Sequence, residues 1–248
     1  MNVSVLFEAD KLPLAYRRCA LSIIKESIRK ADEDLYHFYY TENNNNPKPY
    51  VYSLYLCDYA IREDEIDLSR FWLNVSSAEP RFIIPFLNGL QQTKVFQYKN
   101  YRFTRRTIRY HRETAVRGSK IVVSTRSPIL VEDENRQPLE PSHPSYNEEL
   151  NKIMNKKSMT LRGRPLSRAL ALTPLQVKRV VVKESNEEYE KAVAEGRAAQ
   201  PYLYFTAFGG KFLLEGATED LQWVLDCGAA LRSAQGFGHL RLESEVNT

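Results

Sequence analysis

The order of the predicted secondary-structure elements most constrains the fold of this chain. Alternating apolar and polar residues predict a strand at Asn2–Glu8, because successive side chains on a strand point to opposite faces. Apolar residues at helical spacing after Pro13 predict a helix. The rest of the first half is predicted as a loop at 31–48, strands at 49–57 and Arg70–Ser76, a helix at Pro80–Gln92 and a basic hairpin at 94–110. This strand–helix–strand–strand–helix–strand order is typical of a ferredoxin-like unit.

The second half repeats the order. Its predicted elements are strands at 120–124 and 129–132, a helix at 146–159, strands at 177–183, 202–208 and 211–214, a helix at 219–226 and a strand at 239–243. Residues 186–199 are Ala- and Glu-rich and are predicted to be a helical insertion. We therefore expect an α+β fold of two tandem ferredoxin-like (RRM-like) domains with antiparallel sheets. The expected domains are 1–116 and 117–248, and a single larger α+β domain is the alternative.

A glycine-punctuated loop separates the last predicted helix from the last strand. Thr218 is predicted to N-cap that helix and Gly228 to end it. Glycine lets the backbone approach a phosphate closely, and arginine and serine side chains can donate hydrogen bonds to one. The residues of the loop that suit this role are Arg232, Ser233, Gly236 and Gly238. The alternative is a plain connection that needs glycine only for its dihedral angles.

Basic residues are concentrated in two tracts. Residues 94–126 contain ten Lys or Arg and one acid, and residues 151–183 contain nine Lys or Arg and no acid. Because these tracts contribute +18 to a net charge of +4, the remainder of the chain carries −14. Such a concentration of charge favours a polyanionic partner, and nucleic acid is the partner that we expect.

The glycine-rich loop resembles that of the repeat-associated (RAMP) superfamily of CRISPR-associated proteins. Within it, the chain is most similar to the endoribonucleases that process precursor CRISPR RNA, the sixth CRISPR-associated family. Three further stretches match that family in order: KPYVYSLYL at 48–56, STRSPILVEDE at 124–134 and YNEELNKIMNKKSMTLRG at 146–163. One departure is that the G-x-G pair that usually opens the family's loop is here Gly228-Ala229-Ala230.

The resemblance implies a metal-independent endoribonuclease that cuts within CRISPR repeats to give guide RNAs. It assigns the catalytic roles to His37, in an aromatic loop, and to Lys48, ahead of the next strand. Some family members add a tyrosine from the first helix, where this chain has Lys25. A neighbouring tyrosine or Lys25 itself remains open as the third group; the candidate tyrosines are Tyr16, Tyr36, Tyr39 and Tyr40.

The basic tracts supply the residues that we expect to hold RNA. Arginine pairs phosphates bidentately and stacks on bases. The candidates in the first tract are Arg102, Arg105, Arg106 and Arg109, and those in the second are Lys156, Lys157 and Arg162. The alternative is that these charges form an ordinary solvated face.

Other features narrow the function classes. Three widely spaced cysteines without a CxxC pair indicate no disulfide framework and no zinc site, which fits a cytoplasmic protein. We expect no cofactor, no metal and no membrane association. The expected partners are CRISPR repeat RNA and a CRISPR effector complex, with a homodimer left open. A non-catalytic guide-RNA-binding module of the same superfamily is the alternative function, and an RNA-binding protein unrelated to CRISPR is the third hypothesis.

Overall fold

The computed structural model describes residues 1–112, 114–186 and 189–246. A five-stranded antiparallel sheet in the order β3–β6–β1–β8–β7 carries two long helices on one face. The strands are β1 (Asn2–Glu8), β3 (Val51–Cys57), β6 (Arg70–Ser76), β7 (Val95–Tyr98) and β8 (Tyr101–His111); the helices are α1 (Arg17–Ala31) and α3 (Pro80–Gln92). Short strands β2 (Lys11–Pro13), β4 (Ala60–Arg62) and β5 (Glu65–Asp67) form a separate three-stranded sheet.

A second, four-stranded antiparallel sheet has the order β10–β11–β9–β12. Its strands are β9 (Lys120–Thr125), β10 (Ala171–Ser185), β11 (Tyr202–Glu215) and β12 (Leu240–Glu245); its helices are α4 (Tyr146–Arg162) and α6 (Thr218–Cys227), and a short helix α5 spans Tyr189–Ala194. In each sheet the first strand lies between two later ones, as in the ferredoxin-like fold: β1 pairs with β6 and β8, and β9 pairs with β11 and β12. The predicted tandem ferredoxin-like architecture is confirmed, whereas the boundary between residues 116 and 117 remains a prediction.

Each sheet has its own apolar core. Val3, Val5 and Phe7 of β1 pack beneath α1 and α3, and Ile121 and Val123 of β9 pack in the second core. A third, smaller cluster is formed by residues of β10 and β11 with Leu130, Leu231 and Phe237. The long β10–β11 hairpin therefore reaches beyond its own sheet toward the first unit. In the residues that the structure describes, no helix has the length and apolar character needed to cross a membrane.

The first half differs from its prediction around α1. Pro13 does not open the helix: it lies in β2, because Leu12 pairs with Ile66 and is fully buried. The helix begins four residues later, at Arg17. The predicted loop at 31–48 contains α2 (Glu33–His37), which Asp32 caps by accepting from Leu35 N, and a π-helix at Phe38–Glu42. The strand β6, the helix α3 and the basic hairpin are confirmed.

In the second half, the predicted strands 202–208 and 211–214 are one strand, because Gly209 and Gly210 continue the pairing with β10. Residues 129–132 make only isolated bridges. Thr218 is the first residue of α6 rather than its cap, and its hydroxyl donates to Gly118 O at 3.2 Å. The predicted insertion at 186–199 includes α5, although residues 187–188 lie outside the described ranges.

Candidate nucleic-acid interface

The glycine-rich loop, residues 228–238, closes on itself between α6 and β12. Ala229 N donates to Gly238 O at 2.9 Å, and Gly238 N donates to Pro128 O at 2.8 Å. Gly238 has a φ of +70°, and a Cβ added there would lie 1.6 Å from Ala229 O. Arg232 also adopts a left-handed conformation, with a φ of +59°. The loop therefore needs glycine at Gly238 for a close backbone approach within the protein.

Lys157 of α4 anchors this loop from below. Its ammonium group donates to Cys227 O, to Gly228 O at 3.0 Å and to Ser233 Oγ at 2.8 Å. The side chain is almost fully buried, and burial lowers the pKa of Lys157 to about 8. The three donors of Lys157 are therefore occupied by the loop, and its predicted contact with RNA stays a prediction. Ser233 accepts from Lys157 and keeps its own hydroxyl proton to donate.

The loop also packs against the first unit. Arg17 Nε at the start of α1 donates to Gly236 O at 3.4 Å, and the Arg17 guanidinium lies over the Phe237 ring at 5.3 Å. A Cβ at Gly236 would lie 2.9 Å from Tyr52 Cε2. Gly236 and Gly238 are both buried, so packing rather than phosphate contact explains why glycine occupies these two positions. Arg232 remains exposed, with its guanidinium over Phe205 at 4.7 Å.

A cavity of about 800 Å³, the central cavity, lies between α1, the loop at 43–48, the segment 132–136, α4 and the glycine-rich loop. Basic side chains outnumber acidic ones on its wall. The basic residues are Arg18, Lys25, Lys48, Arg136, Lys152, Lys156, Lys157 and Arg232, and the acidic residues are Glu132, Asp133, Glu134 and Glu149. The cavity brings Lys48 together with Arg232 and Ser233, three of the residues predicted from sequence. It also contains Arg18, which the sequence reasoning missed.

Lys48 organises the asparagine-rich wall of the central cavity. Its ammonium group donates to three carbonyls: Asn43 O at 2.6 Å, Asn44 O at 3.1 Å and Asn46 O at 2.7 Å. Burial, with the nearby charge of Lys25, lowers the pKa of Lys48 to about 8. A pKa close to neutral pH suits a group that exchanges a proton, and such perturbed groups concentrate at functional sites.

Lys25 of α1, a candidate for the third group, also lines the central cavity. Its ammonium lies 5.0 Å from the centre of the Tyr40 ring. The Tyr40 and Tyr50 hydroxyls are 3.0 Å apart, and burial raises the pKa of Tyr40 well above its usual value. Burial likewise raises the pKa of Tyr39 to about 12. Both phenols are thus poor proton donors, and Lys25, Tyr16 and Tyr36 stay open as the third group.

His37 lies at the end of α2 and is exposed to solvent. Its Nδ1 is 3.4 Å from Thr41 Oγ1, and its ring meets the Tyr36 ring edge-on at 5.7 Å. Tyr36 and Tyr40 occupy one face of this helical segment and line cavities, whereas His37 and Thr41 occupy the adjacent face about 100° away. His37 is not among the described residues that line the central cavity, so the structure does not bring it together with Lys48 there.

The four arginines of β8 have different partners, and none is among the described residues of the cavity wall. The Arg105 guanidinium donates to Thr93 O and Gln91 O at the end of α3, and its contact with RNA stays a prediction. Arg106 pairs with Glu8. Arg102 is exposed, and Arg109 lies over the Trp72 ring at 4.5 Å on the sheet face opposite the helices.

The candidate RNA-binding residues of the second basic tract also differ in exposure and in their partners. Lys156 is exposed beside the central cavity. Arg162 donates to the buried Asp220 at 2.6 Å and its guanidinium lies over Trp223 at 4.6 Å, and its role in RNA binding stays a prediction. Burying the Asp220 carboxylate requires a partner, and Arg162 supplies it. Within the described ranges, no three His, Cys, Asp or Glu side chains are arranged to hold a metal ion.

Comparison with known structures gives the same fold over the whole chain. A structure described as a Cas6-related gene from Pyrococcus furiosus superposes with a TM-score of 0.80 at 16% identity, covering 99% of both chains. An RAMP protein binding different RNA substrates has a TM-score of 0.77 at 17% identity, covering 98% of this chain and 100% of the other. A CRISPR associated protein Cas6 has a TM-score of 0.71 at 18% identity, covering 98% and 99%.

At these identities the structural likeness establishes the fold. No curated protein sequence matches the chain significantly. The sequence model of the family described as CRISPR associated protein Cas6, C-terminal, matches residues 111–242, more than half of the chain. This segment contains α4, the β10–β11 hairpin, α6 and the glycine-rich loop. The chain therefore belongs to the Cas6 family of CRISPR-associated proteins.

Proposed function

We propose that this chain is a metal-independent endoribonuclease that cuts precursor CRISPR RNA within its repeats. Members of its family bind and process repeat RNA. The observation that carries the proposal is the central cavity, where Lys48, Arg232 and Ser233 converge from both sequence halves. A phosphodiester bound there would meet a cationic wall and the hydroxyl of Ser233, which are the groups that stabilise charge on a reacting phosphate.

The proposed chemistry uses the RNA's own 2′-hydroxyl as the nucleophile. The 2′-oxygen attacks the adjacent phosphorus, a base takes the 2′-proton, and the bond to the 5′-oxygen breaks as an acid protonates that oxygen. The products are a 2′,3′-cyclic phosphate and a 5′-hydroxyl. We assign the proton exchange to His37, because histidine is the side chain that most often acts as a general acid or base, and the support of phosphate charge to Lys48.

The geometry sets a condition on each assignment. The three donors of Lys48 are occupied by carbonyls. A phosphate oxygen must therefore replace one of these carbonyls or interact electrostatically with the Lys48 ammonium without a hydrogen bond. His37 must turn toward the cavity when RNA binds. The π-helix that begins directly after it, at Phe38, is an irregularity that often occurs at functional sites and supports such a rearrangement.

The test is cleavage of the repeat RNA encoded in the same genome. We expect cutting without added metal and in EDTA, and we expect a 2′-deoxy substitution at the scissile nucleotide to abolish cutting while binding persists. A requirement for Mg²⁺, or cutting of the deoxy substrate, would contradict the mechanism. Wild-type protein that binds repeat RNA and never cuts it would identify the alternative, a non-catalytic guide-RNA-binding module.

The roles of individual residues need separate variants. His37→Ala and Lys48→Ala should each lose cutting and keep binding, whereas His143→Ala, on an exposed loop, should keep both. If His37→Ala cuts normally and Lys25→Ala does not, the proton exchange belongs to Lys25 and Lys48. The proposal places the protein in the cytoplasm, with release of guide RNA to an effector complex; the mass of the RNA-bound protein distinguishes a monomer from a dimer.

A further inference from the structure

A second cavity, of about 370 Å³, lies beside the central cavity along α1. Arg18, Leu21 and Lys25 line both cavities, so the two are adjacent. We call this second cavity the α1 groove. It runs toward the C-terminal end of α1, and its outer part is formed by Arg29, Tyr36 and the β7 residues Gln97 and Tyr98.

The floor of the α1 groove is a stripe of polar side chains. Arg18, Ser22, Lys25 and Arg29 follow one another at intervals of four, three and four residues. This spacing places them on one face of the helix. From Arg18 to Arg29 the helix rises about 16 Å, a length that accommodates several nucleotides of an extended strand. Neither basic tract of the sequence includes these residues, and only the helical spacing reveals them.

The charges on the stripe favour a polyanion. Arg18 is held in place by Glu184, with Nε and Oε2 at 3.8 Å, and by Ser185 O. Arg29 is exposed and has no acidic partner within 4.0 Å among the described residues. Glu26 is the one acidic side chain among the described residues of the groove wall. The wall also presents two tyrosines, and aromatic rings are platforms on which unpaired bases stack.

We infer that the α1 groove binds the single-stranded RNA that flanks the scissile phosphate, with Arg29 contacting its backbone. This inference rests on the proposed function, because it assumes that the scissile phosphate lies in the central cavity. The strand leaves that cavity past Lys25 and follows the helix to Arg29. The groove therefore contributes affinity for RNA beyond the cut, without contacting the reacting atoms.

The test compares two adjacent cations of the last turn of α1. Arg29→Gln and Lys30→Gln remove the same charge from the same helix end, but only Arg29 lines the groove. The probe is synthetic repeat RNA with a 2′-deoxy nucleotide at the mapped cut, or unmodified RNA if no cutting occurs. We expect Arg29→Gln to weaken binding about two- to fivefold and to lower the salt slope by about 0.7, with Lys30→Gln near wild type.

Two further arms complete the test. Glu26→Gln removes the negative charge and should tighten binding about twofold, which a destabilised variant would not do. RNA truncated on the flank that occupies the groove should bind wild type and Arg29→Gln equally. Equal salt slopes for Arg29→Gln and Lys30→Gln would overturn the inference. So would an Arg29 effect that persists both when the 5′ flank is removed and when the 3′ flank is removed. If wild-type protein never cuts RNA but Arg29→Gln alone lowers the salt slope of binding, the proposed nuclease activity is refuted while the proposed RNA binding by the α1 groove is supported.

Discussion

Replacing Lys157 by Met should destabilise the protein although it removes a buried charge. The ammonium group of Lys157 is surrounded by Cys227 O, Gly228 O and Ser233 Oγ. Methionine has a similar length and leaves all three acceptors without this donor. A buried polar group left unsatisfied costs about 1–3 kcal/mol, so three of them cost about 6 kcal/mol at the middle of that range.

An opposing contribution reduces this cost. Burial lowers the pKa of Lys157 from 10.5 to about 8, which corresponds to about 3 kcal/mol of penalty for the charged form. Methionine does not carry that penalty. The balance predicts a loss of about 2–4 kcal/mol in the free energy of unfolding, or about 5–15 °C in Tm for a chain of this size.

The control is the preceding residue on the same helix. Lys156→Met removes the same charge from an exposed position, and such surface changes usually stay within about 0.5 kcal/mol. Thermal denaturation of both variants, followed by circular dichroism, measures the difference. Equal Tm values for Lys157→Met and Lys156→Met would refute the view that this lysine holds the glycine-rich loop.

Two further predictions test the loop and the proposed site. Gly238→Ala should abolish RNA binding or folding, because its Cβ would meet Ala229 O. The control is Gly163→Ala, at a similar φ of +69° with open space around it, which should lower the free energy of unfolding measured by denaturation by only about 1 kcal/mol. The cleavage rate should fall as pH rises through about 8, where Lys48 loses its proton. Lys25→Gln should shift this fall to higher pH, because removing a nearby positive charge raises the pKa of Lys48; an unchanged pH profile would exclude Lys48 from the rate-limiting step.

Short-range patterns predicted the regular elements well where burial alternates cleanly. Arg70–Ser76 and Pro80–Gln92 have the predicted bounds, because one face of each is buried against a single core. The prediction was wrong where a distant partner decides the conformation. Pro13 is a favourable first residue of a helix, but pairing of Leu12 with Ile66 keeps this segment extended.

The candidate site was predicted only in part. Sequence and resemblance placed Lys48, Arg232 and Ser233 at the site, and the central cavity contains all three. His37 remains a prediction, because it is exposed and is not among the described residues that line that cavity. Arg105 shows the limit of counting charges, because it belongs to a basic tract and yet donates to carbonyls at the end of α3.

The sequence by itself determined the order of strands and helices, the tandem architecture and the excess of basic residues. These follow from hydrophobic periodicity and composition, which are local properties. Only the tertiary structure decided which cationic side chains are exposed to solvent and which are buried and hydrogen-bonded within the protein. Adjacent lysines such as Lys156 and Lys157 are chemically identical, but one helical step of about 100° places the first at the surface and the second beneath the glycine-rich loop. The orientation of a side chain relative to a distant segment depends on packing, and packing is not a local property.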